Sequence, residues 1–461
     1  MYRWFAWNIV FRLQEMTKRH PTFGILREME AADLLSLAEL EQLRRKKLRS
    51  FIDYCYDHVP YVRTRMQEAG IQPAQIREPS DLTLLPLMTK ADVRTYRKSL
   101  HSDLAGKLAP FTTGGSTGEP LVFDLSKRRI ASRVACRQRV SGWWGLSVGD
   151  SELAFWGSPL EATRQDWVRG LRDKLLATKL LSAFEMNEAT MSGYLDIFER
   201  RGCRQIFGYP SAIYLLCIQA RKERRNLRHF GVKTVFVTGE VLFPHQRELI
   251  VETLNAPVAN GYGGRDSGFI AHECPQGGMH VMADAVILEL VDPLGRPVPP
   301  GQPGEIVVTD LYSEEAPFVR YATGDLAVLS ARSCPCGRAL PLIERIEGRS
   351  NDSIVAPDGR IINSLAVVYP VREVEGIEQF RICQKAVDRF HIQIVRNEHF
   401  SKAGEEHIRQ GWTQLLRVPL EVTFEYLPNF PAERSGKFRH VVSELPNGTT
   451  VPGNGAKHAL L

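Results

Sequence analysis

The run Phe111-Thr-Thr-Gly-Gly-Ser-Thr-Gly-Glu-Pro120 sets three glycines, Gly114, Gly115 and Gly118, among the hydroxyls of Thr112, Thr113, Ser116 and Thr117. Glycine lets successive backbone N–H groups turn toward one point, where they can converge on anionic oxygens. An apolar pair, Leu121-Val122, and a basic stretch follow, an order that suits a phosphate cradle. No Gly-Lys-Ser/Thr follows at the spacing of a Walker A loop. Read alone, the cluster is also compatible with an ordinary loop.

Sulfur and imidazole form a second constellation. Cys274-Pro-Gln-Gly-Gly-Met-His280 and Cys334-Pro-Cys336 place three thiols and an imidazole beside Pro and Gly turns. Four such donors suit a closed, structural zinc site. The Cys-x-Cys pair is tighter than the usual knuckle, and His272 competes as the nitrogen ligand. Unliganded thiols and a redox pair are the alternatives. The two ligand pairs are expected to flank the strands Val286–Asp292 and Glu305–Thr309.

The elements that must position these groups read as an α/β chain. Residues 30 to 75 read as helical, with Leu34, Leu35, Leu37, Leu40 and Leu43 near one face and Val59-Pro60 as a break. Beyond residue 110, short apolar runs alternate with amphipathic stretches. Predicted strands are Glu152–Gly157, Gln205–Tyr209, Thr234–Thr238, Val286–Asp292 and Glu305–Thr309. Helices are predicted over Lys127–Gly142, Glu188–Arg201, Ser211–Arg225 and His245–Leu254. The Pro/Gly-dense segment 292–304 is a turn between two of the strands. After Gly348-Arg349, strands near Phe380–Gln384, Phe390–Val395 and Val422–Tyr426 flank a helix around Lys402–Leu416. These indicate a small α+β domain, and the Gly/Pro-rich tail from Pro446 is expected to be disordered.

A chain of 461 residues accommodates one large and one smaller domain. Its 43% hydrophobic and 24% charged content is that of a globular protein. The formal charge of +6 is densest at Arg221, Lys222, Arg224, Arg225 and Arg228. That cluster reads as a solvated helix face, with an anionic partner as the alternative, and no nucleic-acid partner is expected. No apolar run of about 18 residues is present to span a bilayer. The opening Met1-Tyr-Arg-Trp-Phe-Ala-Trp-Asn-Ile-Val-Phe-Arg lacks a cleavage site; its aromatics at helical spacing suit the protein's own core, a membrane surface or a partner. The eight cysteines do not form a secreted disulfide framework, so a cytoplasmic location is expected.

Thr112–Pro120 resembles the phosphate loop of the adenylate-forming superfamily, and further motifs follow in that family's order. Phe236-Val-Thr-Gly239-Glu240-Val resembles the strand and turn lining the acyl and nucleotide pocket. Asn260-Gly-Tyr262-Gly263-Gly-Arg-Asp266 resembles the turn that meets adenine and magnesium. Arg320-Tyr-Ala-Thr-Gly-Asp325 resembles the ribose-binding motif, Gly348-Arg349-Ser-Asn-Asp352 the hinge, and Arg434-Ser-Gly-Lys437 the loop of the C-terminal catalytic lysine. Leu85-Pro-Leu-Met-Thr-Lys90 and Cys334-Pro-Cys-Gly-Arg338 resemble the branch of phenylacetate–CoA ligases, deazaflavin-coenzyme adenylyltransferases and capsule-polysaccharide ligase-like proteins. The likeness runs from about residue 30 to 445.

The resemblance implies an N-terminal adenylation domain over 1–348, opened by a helical segment over 1–80. A small, mobile C-terminal domain over 349–445 and a tail over 446–461 would follow. It implies that Lys437 bridges carboxylate and α-phosphate, that Asp325 and Arg349 meet the ribose, and that Tyr262 lies beside adenine. Asp266 stands where many relatives have Glu as a magnesium ligand, and Asp can also ligate the ion. The implied activity is ATP-dependent formation of an acyl-adenylate from a small carboxylic acid, then transfer to a thiol acceptor, coenzyme A. Alternatives are transfer of AMP to a cofactor hydroxyl, acyl transfer to a carrier protein or an amine, and a non-catalytic nucleotide-binding scaffold. A homodimer stands open. Phe155, Trp156, Phe207 and Tyr209 could line an aromatic-acid pocket or belong to the core.

Overall fold

The computed structural model describes residues 1–113, 121–156, 170, 172–183, 186–292, 294–349, 354–357, 361–362, 367–368, 370–371, 373–430 and 441–445. It divides into two compact units, one built from Met1–Thr323 with Ala327–Ile346 and the other centred on Glu347–Ala432.

The N-terminal region is helical for local reasons. Ser36 and Glu39 form a reciprocal capping box that starts the helix Leu37–His58, and Pro60 opens the next helix, Pro60–Glu68. Leu40, Leu48, Phe51, Ile52 and Cys55 form its buried stripe. Leu34 and Leu37, expected on that face, are exposed instead. The chain is still turning at residue 34, and the capping box delays the helix until residue 37, which shifts the phase.

In chain order the strands of the larger unit are β1 (Ala109–Thr112), β2 (Val122–Leu125), β3 (Glu152–Trp156), β4 (Thr178–Ser182), β5 (Gln205–Gly208), β6 (Thr234–Thr238), β7 (Val258–Gly264), β8 (Gly268–Glu273), β9 (Met279–Val281), β10 (Val286–Val291), β11 (Pro303–Asp310), β12 (Tyr321–Ser330) and β13 (Leu342–Arg349). Strands β3 to β13 form one sheet in the order β10-β11-β12-β13-β9-β8-β7-β6-β5-β3-β4, and β1 pairs with β2 as a separate hairpin. Strands β4, β3, β5, β6 and β7 are parallel. At β7–β8 the pairing turns antiparallel.

Parallel strands need crossovers, and the helices Glu188–Arg201, Pro210–Lys222 and Pro244–Leu254 supply them. Their apolar faces cover Leu153, Phe155, Ile206, Val235, Val237 and Val258, which explains why those strands read as near-continuous apolar runs. The basic cluster near residue 221 is compensated locally. Arg221 pairs with Glu252, Lys222 with Glu188, and Arg225 with Asp196, Glu199 and Glu223. Strand and helix limits differ from the sequence expectation by only a few residues; Val286–Asp292 ends at Val291, and Glu305–Thr309 extends to Pro303–Asp310.

In the smaller unit, β14 (Ile354–Val355) pairs with β15 (Ile361–Ile362). The strands β16 (Ile377–Ala386), β17 (Arg389–Arg396), β18 (Glu421–Tyr426) and β19 (Val441–Ser443) form a sheet in the order β18-β17-β16-β19. The helix Lys402–Leu416 connects the parallel pair β17 and β18. Its residues Ile408, Trp412 and Leu416, four apart, bury one stripe in a core with Phe390, Ile392 and Ile394. Each such side chain contributes roughly 1.5–3 kcal/mol. The Trp412 indole N–H donates to the Val367 carbonyl at 2.7 Å, so its polar edge is satisfied as well.

Candidate active site and a cysteine–histidine cluster

Where parallel strands end beside a reversal of direction, loops splay apart and leave room for a ligand. The chain leaves β3 for β4 on one side and continues through β5, β6 and β7 on the other, so the carboxyl ends of β3 and β5 meet that condition, with those of β6 and β7 beside them. Trp156, last in β3, stacks on Tyr209 with centroids 4.3 Å apart, and Phe207 leans on Trp156 at 5.2 Å. Burial pushes the Tyr209 phenol up to about 12. Phe155 is fully buried in the helix-covered core and is a packing residue. Gly239 follows β6 at φ +86°, and a Cβ there would lie 3.0 Å from the Tyr209 ring. Only glycine lets this turn lie flat on the aromatic stack. Glu240 accepts the Ser211 N–H at 3.2 Å and so caps the helix Pro210–Lys222, a structural task that the motif did not disclose.

Strand β7 carries Tyr262 and runs into a tight turn. A Cβ on Gly263 would sit 2.3 Å from the Gly268 carbonyl oxygen, and one on Gly264 would sit 2.8 Å from Asp266 Oδ1. The turn presents Asp266, which is held at three atoms. Its Oδ2 accepts the Tyr321 hydroxyl at 2.7 Å, its Oδ1 accepts the Ser267 N–H at 3.0 Å, and its carbonyl accepts Arg129 Nη2 at 2.6 Å. Arg129 is fully buried and also donates through Nε to Asp310 Oδ2 at 2.8 Å. Arg133, one turn on, has Nε and Nη2 buried without a hydrogen-bond partner among the described residues. Burial, reinforced by Arg129, pushes its pKa down to about 9.

The glycine–hydroxyl loop is tied in at its described base. Strand β2 returns from the loop and feeds the helix Lys127–Trp143, capped by Ser126, so Arg129 and Arg133 lie in its first two turns. At the base of the loop, Thr113 Oγ1 accepts the Leu121 N–H at 3.0 Å, and Thr112 pairs with Val122. Arg265 Nη1 donates to the Thr112 carbonyl at 3.1 Å, which joins the loop base to the Asp266 turn. Gly114, Gly115, Ser116, Thr117 and Gly118 lie outside the described residues, as do Asp352, Lys437 and the tail from residue 446.

Asp325 lies half-buried in β12, directly after Gly324 at φ +81°. The backbone of Arg349 ends β13. Arg320, at the head of the same motif as Asp325, is structural: it pairs with Glu289 and donates to the Leu85 carbonyl at 2.5 Å. Met88 bridges to Tyr321 through paired backbone bonds with Arg320 and Ala322 of 2.9 Å each. The Leu85–Lys90 segment therefore clamps the start of β12, fixing Tyr321 and, through it, Asp266.

Sequence reading found Asp266 but not Arg129, Arg133, Asp310 or Tyr321. The basic stretch after the loop suits a phosphate cradle as a whole, without marking which arginines turn inward. The available signal was Arg129 and Arg133 at i, i+4 beside Ala131, Ala135 and Cys136, small side chains that bury that face.

The predicted zinc donors converge. Cys274, His280, Cys334 and Cys336 place one donor atom each within 4.8 Å of one another. Cys274 Sγ lies 3.6 Å from Cys334 Sγ, and His280 Nε2 lies 3.1 Å from Cys336 Sγ. A tetrahedron with zinc–sulfur bonds of about 2.3 Å has edges of about 3.8 Å, so the donor set fits the ion. The gap is too long for a disulfide. His280 Nδ1 lies 3.2 Å from the Leu340 carbonyl, the second contact that orients a metal-bound imidazole and leaves Nε2 facing the thiols. A Cβ on Gly278 would stand 2.6 Å from Cys334 Sγ, so the turn can close on the sulfur only through glycine.

His272 is not among these donors. Its Nδ1 lies 3.1 Å from the Glu273 carbonyl, its ring stacks on Phe269, and burial pushes it down to about 4. The expected location needs correction. The cluster does not flank β10 and β11; it joins the β8–β9 turn to the segment before β13. That follows because β13 pairs directly with β9, Leu342 facing His280.

Comparison with known proteins agrees with this architecture. The CapK C-terminal domain family matches residues 354–444. A phenylacetate–coenzyme A ligase of Thermus thermophilus is 27% identical over 442 residues, covering 89% of this chain and 98% of its own. Protein CapK of Staphylococcus aureus is 21% identical over 450 residues, covering 95% of each chain. The crystal structure of 2-hydroxyisobutyryl-CoA ligase in its postadenylation state shares the fold, with a TM-score of 0.73 at 22% identity over 90% of this chain and 91% of the other.

Proposed function

We propose that this chain, which belongs to the adenylate-forming superfamily in the branch of phenylacetate–CoA ligases and CapK, activates a carboxylic acid with ATP and passes the acyl group to coenzyme A. A carboxylate oxygen attacks the α-phosphorus, the bond to the β-phosphate oxygen breaks, and pyrophosphate leaves. The thiol sulfur then attacks the acyl carbon and AMP leaves. Both substrates of the first step are anions, so the protein must neutralise charge and hold them in line.

The observation that carries this reading is the fixed carboxylate of Asp266. It stands at the carboxyl ends of the parallel strands and is joined through Arg265 to the base of the glycine–hydroxyl loop. Asp266 would hold magnesium, which neutralises phosphate oxygens when bound. Gly239 and Tyr262 would line the nucleotide site with Thr112 to Gly118, and Asp325 would accept the ribose hydroxyls. The small unit would turn about a hinge near Arg349 and Asp352 to bring Lys437 to the reacting carboxylate. The stack of Trp156, Phe207 and Tyr209 favours a flat or apolar acid. Cys274, His280, Cys334 and Cys336 would hold a structural zinc, and eight free cysteines with ATP and coenzyme A as substrates fit a cytoplasmic enzyme.

An acid-dependent ATP–pyrophosphate exchange panel over aromatic, aliphatic and sugar acids tests the first step, followed by coenzyme A, carrier-protein, amine and hydroxyl acceptors. Exchange with at least one acid and AMP release stimulated by coenzyme A are expected. Exchange with no acid would overturn the reaction, and stimulation only by another acceptor would overturn the thiol.

A further inference from the structure

We propose that the N-terminal helical segment, residues 2–18, docks this protein on an anionic lipid surface, independently of the reaction above. The segment runs as helix Tyr2–Phe5, a π-helical stretch Ala6–Phe11 and helix Arg12–Lys18. One side is already used by the protein's own core. Ala6, Phe11 and Glu15 are buried, and the rings of Trp7 and Phe11 meet Phe23 at 5.6 and 5.5 Å. A Cβ on Gly149 would come within 2.8 Å of Ala6 Cβ, so the helix lies directly on that backbone. Tyr2 donates to the Leu175 carbonyl at 3.0 Å, and Arg3 pairs with Asp150 at 3.3 Å.

The outward side is apolar although the helix is firmly seated. Phe5, Ile9, Leu13 and Met16 recur at steps of four, four and three residues, and with Trp4 they are 39 to 68% exposed. Such spacing makes one stripe along a helix.

Charge is sorted in the same direction. The segment's one acid, Glu15, is turned inward, where the Thr22 hydroxyl, His20 and Gln14 bond it. Arg12, Lys18 and Arg19 are exposed. No acidic side chain of residues 2–19 faces outward. Within the segment the exposed charged residues beside the apolar stripe are all bases, and the exposed Glu30 of the next helix lies near Trp4 and Asn8 at one end. Such a stripe is the pattern of a helix lying in a lipid interface, where anionic headgroups meet the bases. A second copy apposed through the same stripe would bring two basic edges together with no acid from either segment between them. No described helix is long and apolar enough to cross a membrane, so the contact is with the surface.

Sedimentation of the full chain with vesicles of phosphatidylcholine, with and without phosphatidylglycerol, tests this. Binding is expected to the anionic vesicles, to weaken with salt, and to fall at least about tenfold in Leu13→Glu/Met16→Glu. That variant should keep wild-type ATP–pyrophosphate exchange, because neither residue is among those assigned to ATP, magnesium or the acid. Arg12→Glu/Arg19→Glu provides a second variant if the first does not fold. No sedimentation of the wild type, or sedimentation unchanged in both variants, would overturn the proposal. So would light scattering that showed a wild-type dimer separated by the same substitutions without vesicle binding.

Discussion

Tyr321 and Asp266 are 55 residues apart in sequence, and the tyrosine hydroxyl donates to Asp266 Oδ2 at 2.7 Å. The bond engages one carboxylate oxygen and sets the plane of the group while Arg129 fixes its main chain. Tyr321→Phe removes the donor and keeps the ring. The loss should be about 1–1.5 kcal/mol, roughly five- to tenfold in kcat/KM, with a higher magnesium requirement. Magnesium titration of pyrophosphate exchange measures it, and an unchanged requirement would separate Tyr321 from the metal site.

Asp266→Glu should lower activity about tenfold, although glutamate is the commoner residue in the resembling family. Both carboxylate oxygens are engaged: Asp266 Oδ1 accepts the Ser267 N–H at 3.0 Å, and Oδ2 is committed to Tyr321. An added methylene must displace one of these contacts, and small displacements of catalytic groups are costly. Equal or higher exchange activity would show that the longer carboxylate reaches the ion without Tyr321.

These two residues also show what the sequence discloses and what it conceals. Local pattern was enough to place the helix Lys402–Leu416 and the strand Thr234–Thr238, because a 3.6-residue stripe and an apolar run are properties of neighbours in sequence. Asp266 was visible through the resemblance of Asn260–Asp266 to the family's turn motif. Its supports were not, since the basic stretch that carries Arg129 was legible only as a whole, and Tyr321 lies in a strand whose motif drew attention to Asp325. The cysteine–histidine donors were legible by type, but their place in the sheet was not. The contact of β13 with β9 skips β10, β11 and β12, and such non-local pairing leaves no periodic trace.

Asp325→Ala should weaken ATP binding by about 1.5–3 kcal/mol, the range for a hydrogen bond to a charged group. Lys437→Ala should instead leave ATP binding intact and abolish adenylate formation, because a point charge at the reacting oxygens acts in the transition state. Calorimetry beside pyrophosphate exchange distinguishes the two. Swapped phenotypes, or wild-type exchange in Lys437→Ala, would refute the assigned roles.

The zinc assignment makes the sharpest distinction between stability and catalysis. Cys274, His280, Cys334 and Cys336 converge from the β8–β9 turn and the segment before β13, so one ion would cross-link two stretches about 60 residues apart. Four protein donors complete a tetrahedron and leave no position for substrate or water. Purified protein should then carry about one zinc per chain, and Cys336→Ser should lower Tm by about 5–10 °C. Cys336 is the least buried of the four donors, so this substitution disturbs packing less than one at Cys274 would. Exchange activity measured well below the new Tm should remain near wild type, since none of the four donors is among the residues assigned to ATP. Less than about a tenth of an equivalent of metal, with Cys336, the most exposed of the thiols, titratable in the folded protein, would refute the site. Loss of exchange activity in a variant with unchanged Tm would refute the structural role.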